Sequence, residues 1–173
     1  MSDTLITIIA IAAGAIILFV FPLMTTADRT DDAAQLTVES AITSFVNEVA
    51  TTGKITQAKY NQLVETLTST GNTYDVNMTL EVKDINLGKK ASEASKNKNG
   101  ENASYEVHDT QIMDELNKSG QYLCKEGDRI VVSAVNTSQT LSQQYKNFIY
   151  KVIGNDAATI SAEHSALITT NGK

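Results

Sequence analysis

From Thr4 to Ala27 the chain runs through 24 residues without a charge, TLITIIAIAAGAIILFVFPLMTTA, with only threonines breaking the apolar surface. At 1.5 Å per residue this predicts a helix of roughly 36 Å, against a bilayer hydrocarbon core of roughly 30 Å. A soluble core helix needs a polar face and this one has none, so the run is expected to lie in a membrane. The pattern then changes without losing its helical period. Leu36, Val38, Ala41, Ile42, Phe45, Val46 and Val49 recur at three- and four-residue steps, which predicts one apolar stripe on an otherwise polar helix. Apart from Pro22, no Gly or Pro separates the two halves. Membrane helices tolerate proline, so the economical expectation is one kinked helix from about Thr4 to Ala50. Two helices broken around Thr25–Asp32 are the alternative.

Gly53 is expected to end that helix, and Thr56 to cap a second one. Ile55 before the cap and Tyr60 four residues into the helix have the spacing of a hydrophobic staple. Leu63, Val64 and Leu67 continue its apolar face to a stop at Gly71. Tyr74, Val76, Met78, Leu80 and Val82 then alternate with Asp75, Asn77, Thr79, Glu81 and Lys83, a period of two that predicts a half-buried strand. Residues 88–104, GKKASEASKNKNGENAS, contain no large apolar side chain and read as an exposed loop. A short helix from a cap at Thr110 to Lys118 with a stop at Gly120, a strand over Arg129–Asn136, a helix from Leu141 to a stop at Gly154 and a closing strand within Ala157–Ile168 complete the pattern. The fold class expected is α+β: a long N-terminal helix with a small, mostly antiparallel sheet packed with helices. The division expected is an anchor over residues 1–27 and a head over residues 28–173.

Composition removes several functions. The chain has 173 residues with a net charge of −6, which argues against an electrostatic nucleic-acid binder. One cysteine excludes an intrachain disulfide framework, and two histidines with no tryptophan leave little material for metal or hydrolase chemistry. The glycines stand singly along the chain, so there is no phosphate-cradling loop. The best nucleophile is Cys124, with His108, His164 and Arg129 as potential partners. A cysteine, a histidine and an arginine form the set a sortase-like transpeptidase uses, but QYLCKEGDR lacks that family's Thr-Leu-x-Thr-Cys pattern. A small packed residue is the expected role of Cys124. Neither catalysis nor a cofactor is expected. The adjacent acids Asp31-Asp32 and Asp114-Glu115 read as solvated, and Asp156 as a turn residue. Asn77, Asn102, Asn117 and Asn136 head glycosylation triplets that arise readily by chance in such a chain.

The leader Met1-Ser2-Asp3 has no basic residue and the apolar run exceeds the 7–15 residues typical of a signal peptide, so a retained anchor is expected. Cleavage near Thr25-Thr26-Ala27 is the alternative. The polar head behind so short a tail is expected outside the cell, with the N-terminus inside. An apolar helix running into an amphipathic one, followed by a small αβ head, resembles type IV pilins and pseudopilins. More closely, VESAITSFVNEVATTGKITQAKYNQLVETLTSTGNTYDV and HSALITTNGK resemble membrane-anchored proteins of Tad-type pilus clusters in Gram-positive bacteria.

The resemblance implies a filament subunit that self-associates through its apolar helix and works with other pilus-assembly proteins. It also implies a single-pass accessory protein whose head binds partners or surface ligands as the alternative. The chain departs from pilins in lacking a Gly or Ala processing site before the run and a glutamate within Thr4–Ala27. Asp3 is the nearest acid and is expected to pair with a neighbouring subunit's terminal amine instead. Ala10, Ala12, Ala13, Gly14 and Ala15 form a small-residue patch that lets helix backbones approach closely in lipid. The assembly residues expected are therefore Asp3, Ala10, Ala13, Gly14 and Pro22. Replacing Asp3 by alanine should reduce the yield of filaments sheared from cells, and an unchanged yield would remove Asp3 from that role.

Overall fold

The computed structural model describes residues 2–83, 104–140, 142–144, 147 and 159–173. One helix, α1, runs from Ser2 to Thr52 without interruption through Pro22 and the 25–32 segment, so the two-helix alternative falls away. At 1.5 Å per residue its length is about 77 Å. It is followed by β1 (Lys54–Thr56), α2 (Gln57–Thr68), β2 (Tyr74–Lys83), β3 (Ser104–His108), α3 (Asp109–Ser119), β4 (Gln121–Leu123), β5 (Arg129–Asn136) and β6 (Ser161–Leu167). The main sheet is antiparallel with strand order β3-β2-β5-β6, and β1 pairs with β4 in a two-stranded sheet. The expected α+β class is the observed one.

Register explains which side chains form the core. Met78 lies opposite Val132, and Leu80 opposite both Ile130 and Val107, so these residues share one face. All are buried, together with Val82 and Ala134. That face meets Val38, Ile42, Phe45, Val46 and Val49 of α1, Leu63 and Leu67 of α2, and Ile112 and Leu116 of α3. Each such large side chain stabilises the fold by about 1.5–3 kcal/mol through lost apolar surface. The expected stripe on α1 is the buried one, with two amendments. Leu36 is 67% exposed and points away from the sheet, while Ala27, Ala34 and Ala50 join the buried face.

The outermost strand is not left open beside α1. Asn136 N–H donates to Ile160 O and Ile168 N–H donates to Asp128 O, so even-numbered residues of β6 bond towards β5. The odd-numbered ones therefore direct their backbone groups the other way, where α1 lies. Gln35 receives both groups of Ser161, donating from Nε2 to Ser161 O at 2.8 Å and accepting from Ser161 N at 3.2 Å. At the far end Ala50 O accepts from Thr169 N at 2.8 Å. From Gln35 to Ala50 is about 22 Å of helix. From Ser161 to Thr169 is about 26 Å of strand, so the two run side by side in the same direction. Ala162 and Ala166 pack on the core beneath them, and their small side chains leave room for α1 to lie close to the strand.

Several local expectations shift. Thr56 does cap α2, accepting from Lys59 N, and Ile55 is buried. The helix ends at Thr68, with Gly71 in a left-handed turn beyond it rather than at its stop. The cap of the third helix lies two residues before the expected one, and the helix starts at Asp109. His108 is its N-cap, because Gln111 Oε1 accepts from His108 N and so ties the first turn back onto β3. Its end at Gly120, with φ of 77°, is as expected. Ser104, placed in the loop by its sequence, is the first residue of β3; the rest of that loop, 88–103, lies outside the described residues. Of the helix expected from Leu141, Ser142, Gln143, Gln144 and Asn147 are helical and the remainder, with Gly154 and Asp156, lies outside the described residues.

The end of α1 is closed by the tail. Gly53 has φ of 68°, and a Cβ there would collide with Thr170 O and Gly172 N. Gly172 in turn faces Gly53 O, so two glycines cross where neither admits a side chain. Gly71 also has positive φ (82°) but open space around it. Gly53→Ala should therefore lower unfolding free energy by about 3 kcal/mol or more, and Gly71→Ala by only about 1 kcal/mol, the strain alone. Denaturant unfolding of the full chain in detergent checks the pair, and equal losses would contradict the crossing.

Candidate functional site

The five expected assembly residues all lie on α1. Asp3 stands in the first turn, where a carboxylate complements the helix dipole. Its carbonyl accepts from Thr7 Oγ1 at 2.8 Å. Ala10, Ala13 and Gly14 are three and four residues apart and so share one face; Pro22 is two turns further on. A Cβ added at Gly14 would meet nothing within 4 Å. The helix surface around them carries Leu5, Ile6, Ile8, Ile9, Ile11, Ile16, Ile17, Leu18, Phe19, Phe21 and Leu23, each 51–71% exposed. This segment belongs to the one helix among the described residues that is long and apolar enough to cross a membrane.

Polar atoms along the segment are turned inward. Thr25 and Thr26 donate their hydroxyls to Phe21 O and Pro22 O, four residues back, so neither side chain carries an unmet donor. The first buried side chain of α1 among the described residues is Ala27, where the uncharged run ends. The next turns carry the docking contacts of the head. Thr140 Oγ1 donates to Asp31 Oδ2 at 2.6 Å, and Ser142 Oγ donates to Asp28 Oδ1. Thr140 itself accepts from Gln143 N at 3.1 Å, while its own N–H donates to Gln143 Oε1 at 3.1 Å. That reciprocal pair is a capping box, so two carboxylates of α1 meet the positive end of a helical turn. Asp31 is thus a docking residue rather than the solvated acid its sequence suggested. Asp32 is exposed.

Further along, α1 and α2 flank an open groove of about 440 Å³ lined by Leu36, Ser40, Ser44 and Phe45 of α1 and Leu63 of α2 among others. The ion pair between Glu48 and Lys59, at 2.9 Å, joins the two helices there. Both partners are exposed, which limits the pair to a few tenths of a kcal/mol, about 0.2–1.

The alternative, enzymatic set is not brought together. Across the sheet His108 lies opposite Thr79 and His164 opposite Val132, and those two positions belong to opposite faces. Arg129 pairs with Glu81 at 3.7 Å on the outer face. Cys124 is buried, its backbone bonded to Gly53 O and Gly172 N. Burial, with the Asp128 carboxylate adding to it, pushes the thiol up to about 12. Asp128 is itself fixed by accepting from Lys83 N and Lys125 N. A thiolate nucleophile needs the reverse environment, positive and partly exposed. Among the described residues no three His, Cys, Asp or Glu side chains converge to hold a metal ion.

One cluster had no sequence signal. Asp109 opens α3 beside Asp75 of β2 and Tyr60 of α2. Burial raises the Asp109 carboxyl, the Met78 amide draws it back down, and Asp75 raises it again. Burial also raises the Tyr60 phenol, and both carboxylates add to the shift. Of the glycosylation triplets, Asn77 and Asn117 are exposed, Asn136 is buried and Asn102 is outside the described residues.

No protein-family model, curated protein or solved structure matches the chain. The burial of Cys124 yields a direct check. A thiol reagent at mildly alkaline pH should label it at least ~10-fold more slowly in the native chain than in denaturant, since reaction waits on local opening. Equal rates would place Cys124 at the surface.

Proposed function

We propose that this chain is a structural subunit of a type IV, Tad-like pilus or a related extracellular filament. In this reading residues 4–27 hold it in the membrane before assembly, N-terminus inside and head outside, and the same apolar helix then packs against other copies. The observation that carries the reading is the continuity of α1. Its first half exposes large apolar side chains on every side, while its second half is the core of the head. Such a subunit exchanges lipid for helix contacts without refolding its head. Ala10, Ala13 and Gly14 supply the low surface at which neighbouring backbones come close. Pro22 leaves the Leu18 carbonyl without its helical donor and gives the helix a point of adjustment.

A second reading has support from one feature: no glutamate stands within Thr4–Ala27 to pair subunits inside the apolar layer. It makes the chain a single-pass accessory or minor pilin protein whose head binds assembly partners. The two readings separate in one experiment. Cells are sheared, the released high-molecular-mass material is pelleted and imaged by electron microscopy, and its subunits are identified by intact mass. The filament reading expects this chain as the repeating subunit, with Gly14→Leu abolishing fibres while the head still folds. If the chain stays wholly with the membrane while other proteins form the fibres, the accessory reading replaces it.

A further inference from the structure

The tail that closes the end of α1 contains an Asn-Gly pair, Asn171-Gly172, held by both of the groups that would react with each other. Asn171 Oδ1 accepts from Glu126 N at 2.9 Å. Gly172 N–H donates to Cys124 O at 3.0 Å, and Cys124 N–H donates to Gly53 O at 2.8 Å. Thr169 is bonded to Ala50 O through both its N–H and its hydroxyl. The contact of Gly172 with Gly53 leaves no space for the main chain there to bulge. Asn171 itself is exposed to water.

In a free chain this dipeptide has a characteristic reaction. The amide nitrogen of the glycine, unshielded by any Cβ, loses its proton to solvent base and attacks the side-chain carbonyl carbon of the asparagine. The new C–N bond closes a succinimide, and the side-chain nitrogen leaves as ammonia. Water then opens either ring carbonyl, giving aspartate or, when the main-chain carbonyl is the one cleaved, isoaspartate. The balance is asparagine plus water to acid plus ammonia, with no other reagent. In the docked tail the attacking N–H is committed to Cys124 O and the side-chain carbonyl to Glu126 N–H.

We propose that Asn171 is a covalent modification site gated by the docking of the tail. While residues 168–173 lie against Ala50, Gly53 and Cys124, the site is closed. When they detach, it converts, and the isoaspartyl form cannot return. Its main chain is longer by one methylene between residues 171 and 172, which carries Gly172 off Cys124 O and into Gly53. The tail is therefore a one-way latch: each opening exposes it to a change that prevents re-closure.

The full chain in detergent, incubated at mildly alkaline pH, is followed by peptide mass mapping of residue 171 and by an isoaspartyl-specific assay. Conversion in the native chain should be at least ~10-fold slower than in the same chain in denaturant, because reaction waits on local opening. Gly53→Ala should bring the native rate towards the denatured one, with amide exchange at Met78 and Ile130 reporting that the sheet is intact. Should Gly53→Ala unfold the head, Thr169→Val, which removes only the hydroxyl bond to Ala50 O, should give a smaller rise in rate on an intact sheet. Equal rates in the native and denatured chains overturn the gate. So does a rate unmoved by Thr169→Val when exchange at Gly172 has risen. An isoaspartyl chain whose Gly172 amide regains native protection overturns the latch.

Discussion

The burial of one face of α1 against the sheet is the contact on which the rest of the molecule depends. Val38, Ile42, Phe45, Val46 and Val49 fill the space over Met78, Leu80, Ile130 and Val132. Without that helix face the sheet would present an uncovered apolar surface, and β6 would present an unpaired edge. An exposed edge strand invites pairing with other chains, and covering it with a helix is one of the few remedies. α1 supplies both covers at once. Gln35 and Ala50 meet the backbone of the strand and its extension at either end, while the stripe between them fills the core.

That double duty explains features that look unrelated along the chain. Alanines at Ala162 and Ala166 keep the strand low beneath the helix. The carboxylates of Asp28 and Asp31 fix the head where α1 emerges from its uncharged run, by meeting a capped helical turn. The crossing of Gly53 and Gly172 fixes it at the other end, where the chain must reverse against its own tail. The head is thus attached to α1 over the whole stretch from Ala27 to Gly53, with polar contacts at the ends and apolar ones between.

Much of this was legible in the sequence because the signals were periodic. An uncharged run, then a 3.6-residue stripe, then strict alternation over Tyr74–Lys83 identify α1 and β2, and the glycines at 53 and 120 mark real helix ends. Leu36 misled because it falls within one step of the stripe; only the direction of the neighbouring sheet shows that it faces outward. β1 and β4, three residues each, are shorter than any period and exist because they pair with one another. β3 carries only Tyr105 and Val107 as apolar signals and merges into polar sequence. The cap at His108 depends on a side chain three residues on, and Thr110 is the better cap by residue type alone. The engagement of Asp31 with Thr140, 109 residues away, and the approach of Asp109 to Asp75 and Tyr60 are products of tertiary structure and leave no local trace.

The side-by-side course of α1 and β6 has a mechanical meaning. A force drawn along the apolar half of α1 and resisted by the head acts parallel to the strand, so it loads the junction in shear. The contacts at Gln35, through the interdigitated stripe, to Ala50 must then give way together rather than one after another. A helix laid across the sheet would instead peel from one end. The arrangement suits the head to remaining attached while its helix is under tension.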